Sequence, residues 1–427
     1  MASSLPPPVG RRLLAAAAWW SCVAPAAASD AVALHGYAKA TGAVGLTDPL
    51  VVEALSRLQL DASGAQGPAD FRATFDLDLE ASAADPGDPS ARAAELSILP
   101  VELKVGLHPE HLDLVVGKQY VFWGQTDWAN PTDLFTPWDY VNISNELEDY
   151  RIAPWAVRAT GWLGDASLDL VWVPWPLPHA MGLESMATDV IGVGEPVLPP
   201  RDLAHGDLGA RLSALRWGFD ASVMGFRGMD KRPGMQMVLD LEREPFLFLE
   251  PHYGMMDAVG GDLSHALGAQ LLLKVEAANY WTEDRDGDDP TVRNPELYGV
   301  AGLTWVPHPN FNLTVQGTWS HLWRYDPEAD IAALRAMGDP DPTVDPLDAR
   351  GLVERAAWTW KDQLSVSVVG VQGLPEGDHF ELAYASWRAA DGLTVLGGVL
   401  LFGGPADTRF GGMKDRRRAF TEVKYSF

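Results

Sequence analysis

Phe71-Arg72-Ala73-Thr74-Phe75-Asp76-Leu77-Asp78-Leu79-Glu80 alternates without a break. Phe71, Ala73, Phe75, Leu77 and Leu79 are apolar, and Arg72, Thr74, Asp76, Asp78 and Glu80 are polar. Successive side chains of an extended strand point to opposite sides, so one face of this segment is oily and the other charged. The same period recurs along the chain. Phe311, Leu313, Val315 and Trp319 alternate with Asn312, Thr314, Gln316 and Thr318. Leu364, Val366 and Val368 oppose Gln363, Ser365 and Ser367; Val101, Leu103 and Val105 oppose Glu102 and Lys104; Leu168, Leu170 and Trp172 oppose Ser167 and Asp169.

Soluble sandwiches and β-helices also alternate. Three features favour a transmembrane antiparallel up-and-down β-barrel instead. The segments are roughly ten residues long, the length of a tilted membrane strand. Aromatic residues stand near segment ends, at Trp162, Trp172, Trp217, Trp281, Trp305, Trp319, Trp358, Trp360 and Trp387, where rings favour the membrane–water boundary. The chain closes on Phe420-Thr421-Glu422-Val423-Lys424-Tyr425-Ser426-Phe427, with Val423, Tyr425 and Phe427 on one face. That ending resembles the carboxy-terminal strand of Gram-negative outer-membrane proteins. The resemblance implies that Tyr425 and Phe427 form the signal read by the barrel-assembly machinery. After the leader, no apolar run reaches the ~18 residues of a membrane helix.

Connections alternate between tight and long. Tight ones lie near Pro109, Gly164-Asp165, Arg216-Trp217, Leu267-Gly268, Pro307-Asn310, Lys361-Asp362 and Asp391-Gly392. Long ones cover roughly 81–95, 123–153, 176–204, 228–246, 282–295, 325–350 and 404–415. Short periplasmic turns and long outer loops give this pattern, with both termini periplasmic. The count is about 18 strands, with 16 the alternative because 235–262 is ambiguous. At 18 strands the interior is wide enough for an aqueous channel.

Residues 1–28 read as a secretory signal peptide and 29–427 as the barrel. Arg11-Arg12 precede the apolar stretch Leu13 to Val23, and Ala26-Ala27-Ala28 supply small residues for cleavage. Cys22, the single cysteine, leaves with the leader, which removes disulfide and thiol chemistry. Loss of Arg11 and Arg12 takes the basic count from 32 to 30 against 58 acidic residues, a net charge of −28. Such acidity argues against nucleic acid as a partner. The chain is not thereby disordered, because 47% of it is hydrophobic. The expected location is the cell outer membrane, in contact with its lipid and lipopolysaccharide.

The segment Gly117-Lys118-Gln119-Tyr120-Val121-Phe122-Trp123-Gly124-Gln125-Thr126-Asp127-Trp128-Ala129-Asn130-Pro131-Thr132-Asp133-Leu134-Phe135-Thr136-Pro137-Trp138-Asp139-Tyr140 leads from a strand into the third long loop. It resembles porin-like families of Gram-negative bacteria, in which Gly-Lys/Arg-Gln runs into Trp-Gly, then Asp, then Asn-Pro-x-Asp. The resemblance implies that 123–153 folds into the lumen as a constriction. Asp127, Asp133 and Asp139 would then line it, with Arg151 and Arg158 opposite. The bland alternative is an outer loop in which Asn-Pro and Thr-Pro make turns. Trp123, Trp128 and Trp138 are candidates for stacking a solute, and girdle or loop-packing roles fit them equally.

By period, Asp76, Asp78, Glu80, Glu102, Asp169, Asp220, Glu276, Glu381 and Glu422 face inward with Gln316, against Arg72, Lys104, Arg211, Lys274 and Lys424: nine acids to five bases. The expected function is a porin-type channel for passive diffusion of small hydrophilic solutes, with a modest cation preference. An outer-membrane enzyme of lipase or protease kind and a structural or adhesion barrel are the alternatives. No cofactor is expected. Asp284, Asp286 and Asp288 around Gly287 are a weak calcium candidate in an outer loop, without the downstream bidentate Glu of a calcium loop. A solvated acidic loop fits them better, as it does Asp339, Asp341, Asp345 and Asp348. His108 and His111 flank a turn, and Ser264-His265 lacks a placed acid, so neither supports catalysis or metal binding. The chain is not expected to be an enzyme, and a homo-oligomer is left open.

Overall fold

The period-two segments fold as strands. The computed structural model describes residues 32–47, 52–83, 92–141, 147–183, 187, 191–242, 244–287, 289, 292–328, 331, 335, 344 and 346–427. The expected leader, together with Asp288, Asp339, Asp341 and Asp345, lies outside the described residues. The strands are β1 (Ala33–Gly45), β2 (Val52–Gln66), β3 (Ala69–Ala83), β4 (Arg92–Leu107), β5 (Leu112–Lys118), β6 (Trp155–Leu163), β7 (Ala166–Val173), β8 (Ile191–Val193), β9 (Asp207–Arg216), β10 (Phe219–Met229), β11 (Gly234–Leu239), β12 (Leu247–His252), β13 (Met255–Ala266), β14 (Leu271–Thr282), β15 (Glu296–His308), β16 (Phe311–Leu322), β17 (Asp348–Trp360), β18 (Leu364–Leu374), β19 (His379–Ala390), β20 (Leu393–Gly403) and β21 (Arg418–Ser426).

Eighteen of these form one antiparallel sheet, and β1 pairs with β21 to close it. The closed barrel satisfies the ladder without a free edge along its seam, which is what a wall in lipid requires. The ambiguous stretch 235–262 resolves into two parts. β13 joins the wall, while β11 and β12 make a hairpin that pairs with β8 in a separate three-stranded sheet. Eighteen strands rather than 16 follow.

The register of β2 with β3 sets Arg57 against Asp78, Leu58 against Leu77 and Gln59 against Asp76. Asp76 and Asp78 are buried inside, whereas Phe71, Phe75 and Leu77 are exposed on the outer wall. Val105, Leu168, Leu170, Val223, Val259 and Val368 continue that outer apolar surface. Trp162, Trp217, Trp305, Trp358, Trp360 and Trp387 are exposed toward the end that carries the tight turns. Trp217 and Gly218 in one such turn, and Lys361 and Asp362 in another, take positive φ, the backbone that tight hairpins need. Phe427 exchanges both backbone hydrogen bonds with Gly36, at 3.0 and 2.9 Å. A Cβ on Gly36 would press on the Phe427 ring at 3.0 Å.

One inward assignment fails. Glu381 is exposed, because Phe380 and Leu382 take the inner face of β19. Its neighbours Val369, Leu382, Leu400 and Phe402 form a buried apolar patch inside the barrel, so period alone misread Glu381.

Candidate functional site: a segment folded across the lumen

The chain leaves β5 and turns inward rather than outward. Gln119 drives the turn. Its backbone N–H donates to Pro154 O at 3.0 Å, and its side-chain amide donates to Val115 O and Ala156 O, both at 3.1 Å. The next residues alternate. Val121 and Trp123 are fully buried, while Phe122 is half exposed. Thr136 Oγ1 accepts from Val121 N and donates to Val121 O, clamping the two limbs of the segment together.

Val121, Trp123 and Phe135 pack on the inner faces of β7, β10, β13 and β14, against Val171, Val173, Phe226, Ala258 and Tyr280. Trp123 meets Phe135 edge-on at 4.8 Å, and Phe135 meets Phe226 at 5.2 Å. The Trp123 indole N–H donates to Asp169 Oδ2 at 2.9 Å.

Glu276 on β14 is the main anchor. Its buried carboxylate accepts from Gln125 N at 3.0 Å, from Thr126 N at 3.2 Å and Oγ1 at 2.8 Å, and from Thr132 N at 2.8 Å and Oγ1 at 2.9 Å. Hydrogen bonds to a charged acceptor are stronger than neutral ones. Gly124 makes the close approach possible: its φ is +86°, and a Cβ there would collide with Asn130 Oδ1 and Glu276 Oε1. Farther along, Tyr280 Oη donates to Pro131 O at 2.7 Å. The Trp128 N–H donates to Gln316 on β16 at 3.4 Å, and its ring packs on the apolar patch of β18–β20.

The return limb is held by charge. Arg151 pairs with Asp133, and its guanidinium stacks 3.5 Å from the Trp138 ring centroid and 5.2 Å from that of Phe122. Burial pushes the Asp133 carboxyl up to about 6, against the opposing pull of Arg151. Trp138 N–H donates to His179 Nδ1 at 2.8 Å. Burial, with Lys231 and Arg232 nearby, pushes His179 down to about 3, so it stays a neutral acceptor. Asp149 then receives Lys39 Nζ at 2.9 Å and Arg57 Nη1 at 2.7 Å, and Arg57 grips Asp78 with its other nitrogens at 2.7 and 2.8 Å. The segment thus touches β1–β2, β7, β14, β16 and β18–β20, and it bridges the lumen.

The five charged residues read from the sequence end in different places. Asp133 and Arg151 meet directly and are buried, instead of facing each other across water. Asp127 is partly exposed and pairs with Lys274 at 2.7 Å. Asp139 accepts from Val141 N at 2.8 Å. Arg158 lies lower on the wall, on Asp169 at 2.8 Å. Trp123 has no exposed face, so it is a packing residue and not a stacking surface. Trp138 carries Arg151 on its ring, and Trp128 is partly buried on the β18–β20 patch. Asp76, Asp78 and Glu102 are buried inward, and Lys104 bonds Glu102 at 2.8 Å. Gln316 is inward too, but sits fully buried beside Trp128.

Lys39, Arg57, Asp149 and His179 were not picked out from the sequence. Arg57 was the accessible one, since Arg57, Gln59 and Asp61 alternate with Leu58 and Leu60. In the calcium candidate, Asp284 accepts from Gly287 N at 2.8 Å and Asp289 N at 3.1 Å, and Asp286 pairs with Arg324. Among the described residues, no three acidic, His or Cys side chains are grouped as a metal site. His108 bonds Asp113 while His111 pairs with Glu110. Ser264 and His265, adjacent on β13, point to opposite faces, and His265 stacks on Phe219 at 4.0 Å.

Solved structures share this architecture. OccK5 (OpdH) of Pseudomonas aeruginosa aligns over 93% of this chain and 97% of its own, at 10% identity and a TM-score of 0.52. OpdQ of P. aeruginosa aligns over 93% and 98%, at 10% identity and 0.50. The chain has the fold of these barrels. The outer membrane channel DcaP of Acinetobacter baumannii aligns over 93% and 97%, at 13% identity and 0.44. No family model and no curated protein matches the sequence.

Proposed function

We propose that the protein is an outer-membrane channel for passive diffusion of small hydrophilic solutes, exported through its leader and inserted by the barrel-assembly machinery. The observation that carries this reading is the segment 119–141, which crosses the barrel interior and narrows it without replacing the wall. An oily outer face and a charged inner one suit lipid outside and water inside.

A modest cation preference is part of the proposal. Asp127 and Asp133 are neutralised by Lys274 and Arg151. The excess of carboxylate lies on the β2–β4 wall, where Asp61, Asp76, Asp78, Glu80 and Glu102 face Arg57, Arg72 and Lys104. Carboxylates beside a pore raise the local cation concentration. The test is the reversal potential of the purified protein in a planar bilayer across a salt gradient. The expected result is a small cation-selective potential that fades toward 1 M salt, where the screening length is about 3 Å. An anion-selective potential would overturn the charge argument.

A further inference from the structure

Wall height changes abruptly beside the inward turn. β3 and β4 have 15 and 16 residues, whereas β5, β6 and β7 have 7, 9 and 8. A strand tilted by about 40° gains about 2.5 Å of height per residue, so an apolar band about 25 Å tall takes about ten residues. β4 pairs with β5 only from Leu103 to Leu107. About five further residues of β4, 98–102, therefore lie at membrane depth with no strand on that side among the described residues.

Backbone groups at that depth persist only when buried in protein or lining water. The partners found along this edge are polar and come from the end of β5 and the inward turn that follows it. The Lys118 ammonium donates to Pro100 O, and Tyr120 N–H donates to Glu102 Oε1 at 3.4 Å. Pro100 has no N–H to satisfy, and the β3–β4 register shifts at this point. The side chains here are half open. Leu99 sits opposite Asp76, on the inner parity, yet is 49% exposed; Ile98 on the outer face is 69% exposed and Phe122 51%. Tyr120 stacks on Phe122 at 5.5 Å. Among the described residues, Lys118 is held by a carbonyl and by no carboxylate.

We infer that this notch is a lateral opening between the lumen and the membrane leaflet on the long-loop side, and that it admits anionic single-chain amphiphiles. The inference rests on the channel reading. Lumen water satisfies the β4 edge, the ionised head lies beside Lys118, and the chain runs along Leu99, Phe122 and Ile98.

Spin labels test it in the full-length protein with Cys22→Ser, reconstituted in phosphatidylcholine. Leu99→Cys and Ile98→Cys variants are labelled, and collisions with oxygen and with a water-soluble nickel chelate are measured. The expected result is that the Leu99 label meets both reagents and the Ile98 label meets oxygen. A Leu99 label shielded from either reagent would overturn the opening, whether a covering segment or a second copy causes it. Dodecanoate is then expected to suppress nickel collisions at Leu99 severalfold, while butanoate at the same concentration does not, and Lys118→Gln is expected to abolish the suppression. Equal effects of the two acids, or an unchanged response in Lys118→Gln, would overturn the ligand class. Ion conductance of the same preparation separates the readings: absent current with an open notch removes the channel, and normal current with a shielded Leu99 removes the notch.

Discussion

Replacing Glu276 by Gln changes one oxygen to an amide at the point where the lumen-crossing segment is fastened. The carboxylate accepts five hydrogen bonds from Gln125, Thr126 and Thr132. Bonds to a charged group contribute about 1.5–3 kcal/mol each and neutral ones about 0.5–1.5 kcal/mol. Gln keeps one acceptor oxygen, and its NH2 would face donors on the other side. Neighbouring bonds are not additive, so a net loosening of about 3–5 kcal/mol is expected. That shifts the docked-to-undocked ratio of the segment by about two to four orders of magnitude. The wall should survive, because β14 pairs with β13 and β15 through its backbone. The assay is single-channel recording, with heat-modifiable migration in gels as the control for folding. Larger and noisier steps are expected from a normally folded barrel. Steps of native size and steadiness would refute the claim that Glu276 holds the constriction.

Three other outcomes follow from the same structure. Deleting Phe427 removes both hydrogen bonds to Gly36 at the seam and is expected to lower the yield of heat-modifiable barrel in outer-membrane fractions. Val315→Arg, on the outer face of β16, should cost about 2–4 kcal/mol if it lies near the bilayer centre, measured by urea unfolding in lipid vesicles. Acidification acts on the return limb with two signs. His179, depressed from about 6.5 to about 3, loses its contribution as the pH falls through that window. Asp133, raised from 3.8 to about 6, opposes it in part, and the larger His179 shift makes the net effect a loosening. Current noise should therefore rise between pH 6.5 and 3 and stay flat above pH 7, and His179→Gln should shift that profile.

The wall was legible because its physics is local. Each stretch such as Phe71 to Glu80 states its own two faces, and the tight turns fix the parity of what lies between. The inner face of β19 and β20, with Val369 at its edge on β18, was not legible, because Val369, Leu382 and Phe402 are apolar on the lumen side, where Trp128, Phe410 and Phe420 pack against the patch. Period then finds no contrast between sides. In the candidate site, Asp133 and Arg151 were read as opponents across water, on a third loop that the resemblance turned inward. Their contact, the burial of Trp123 and the anchoring role of Glu276 depend on which strands the segment reaches, some 150 residues away along the chain. A sequence pattern of period two carries no such information. Gln316 shows the same limit: its inward side was predicted, its complete burial was not.

A channel requires that water and ions pass the lumen beside the segment 119–141. Single-channel recording of the purified, refolded protein in a planar bilayer tests it directly. Discrete, ohmic steps are expected, larger in Glu276→Gln. A correctly folded barrel that carries no current, in both the native protein and that variant, would contradict it.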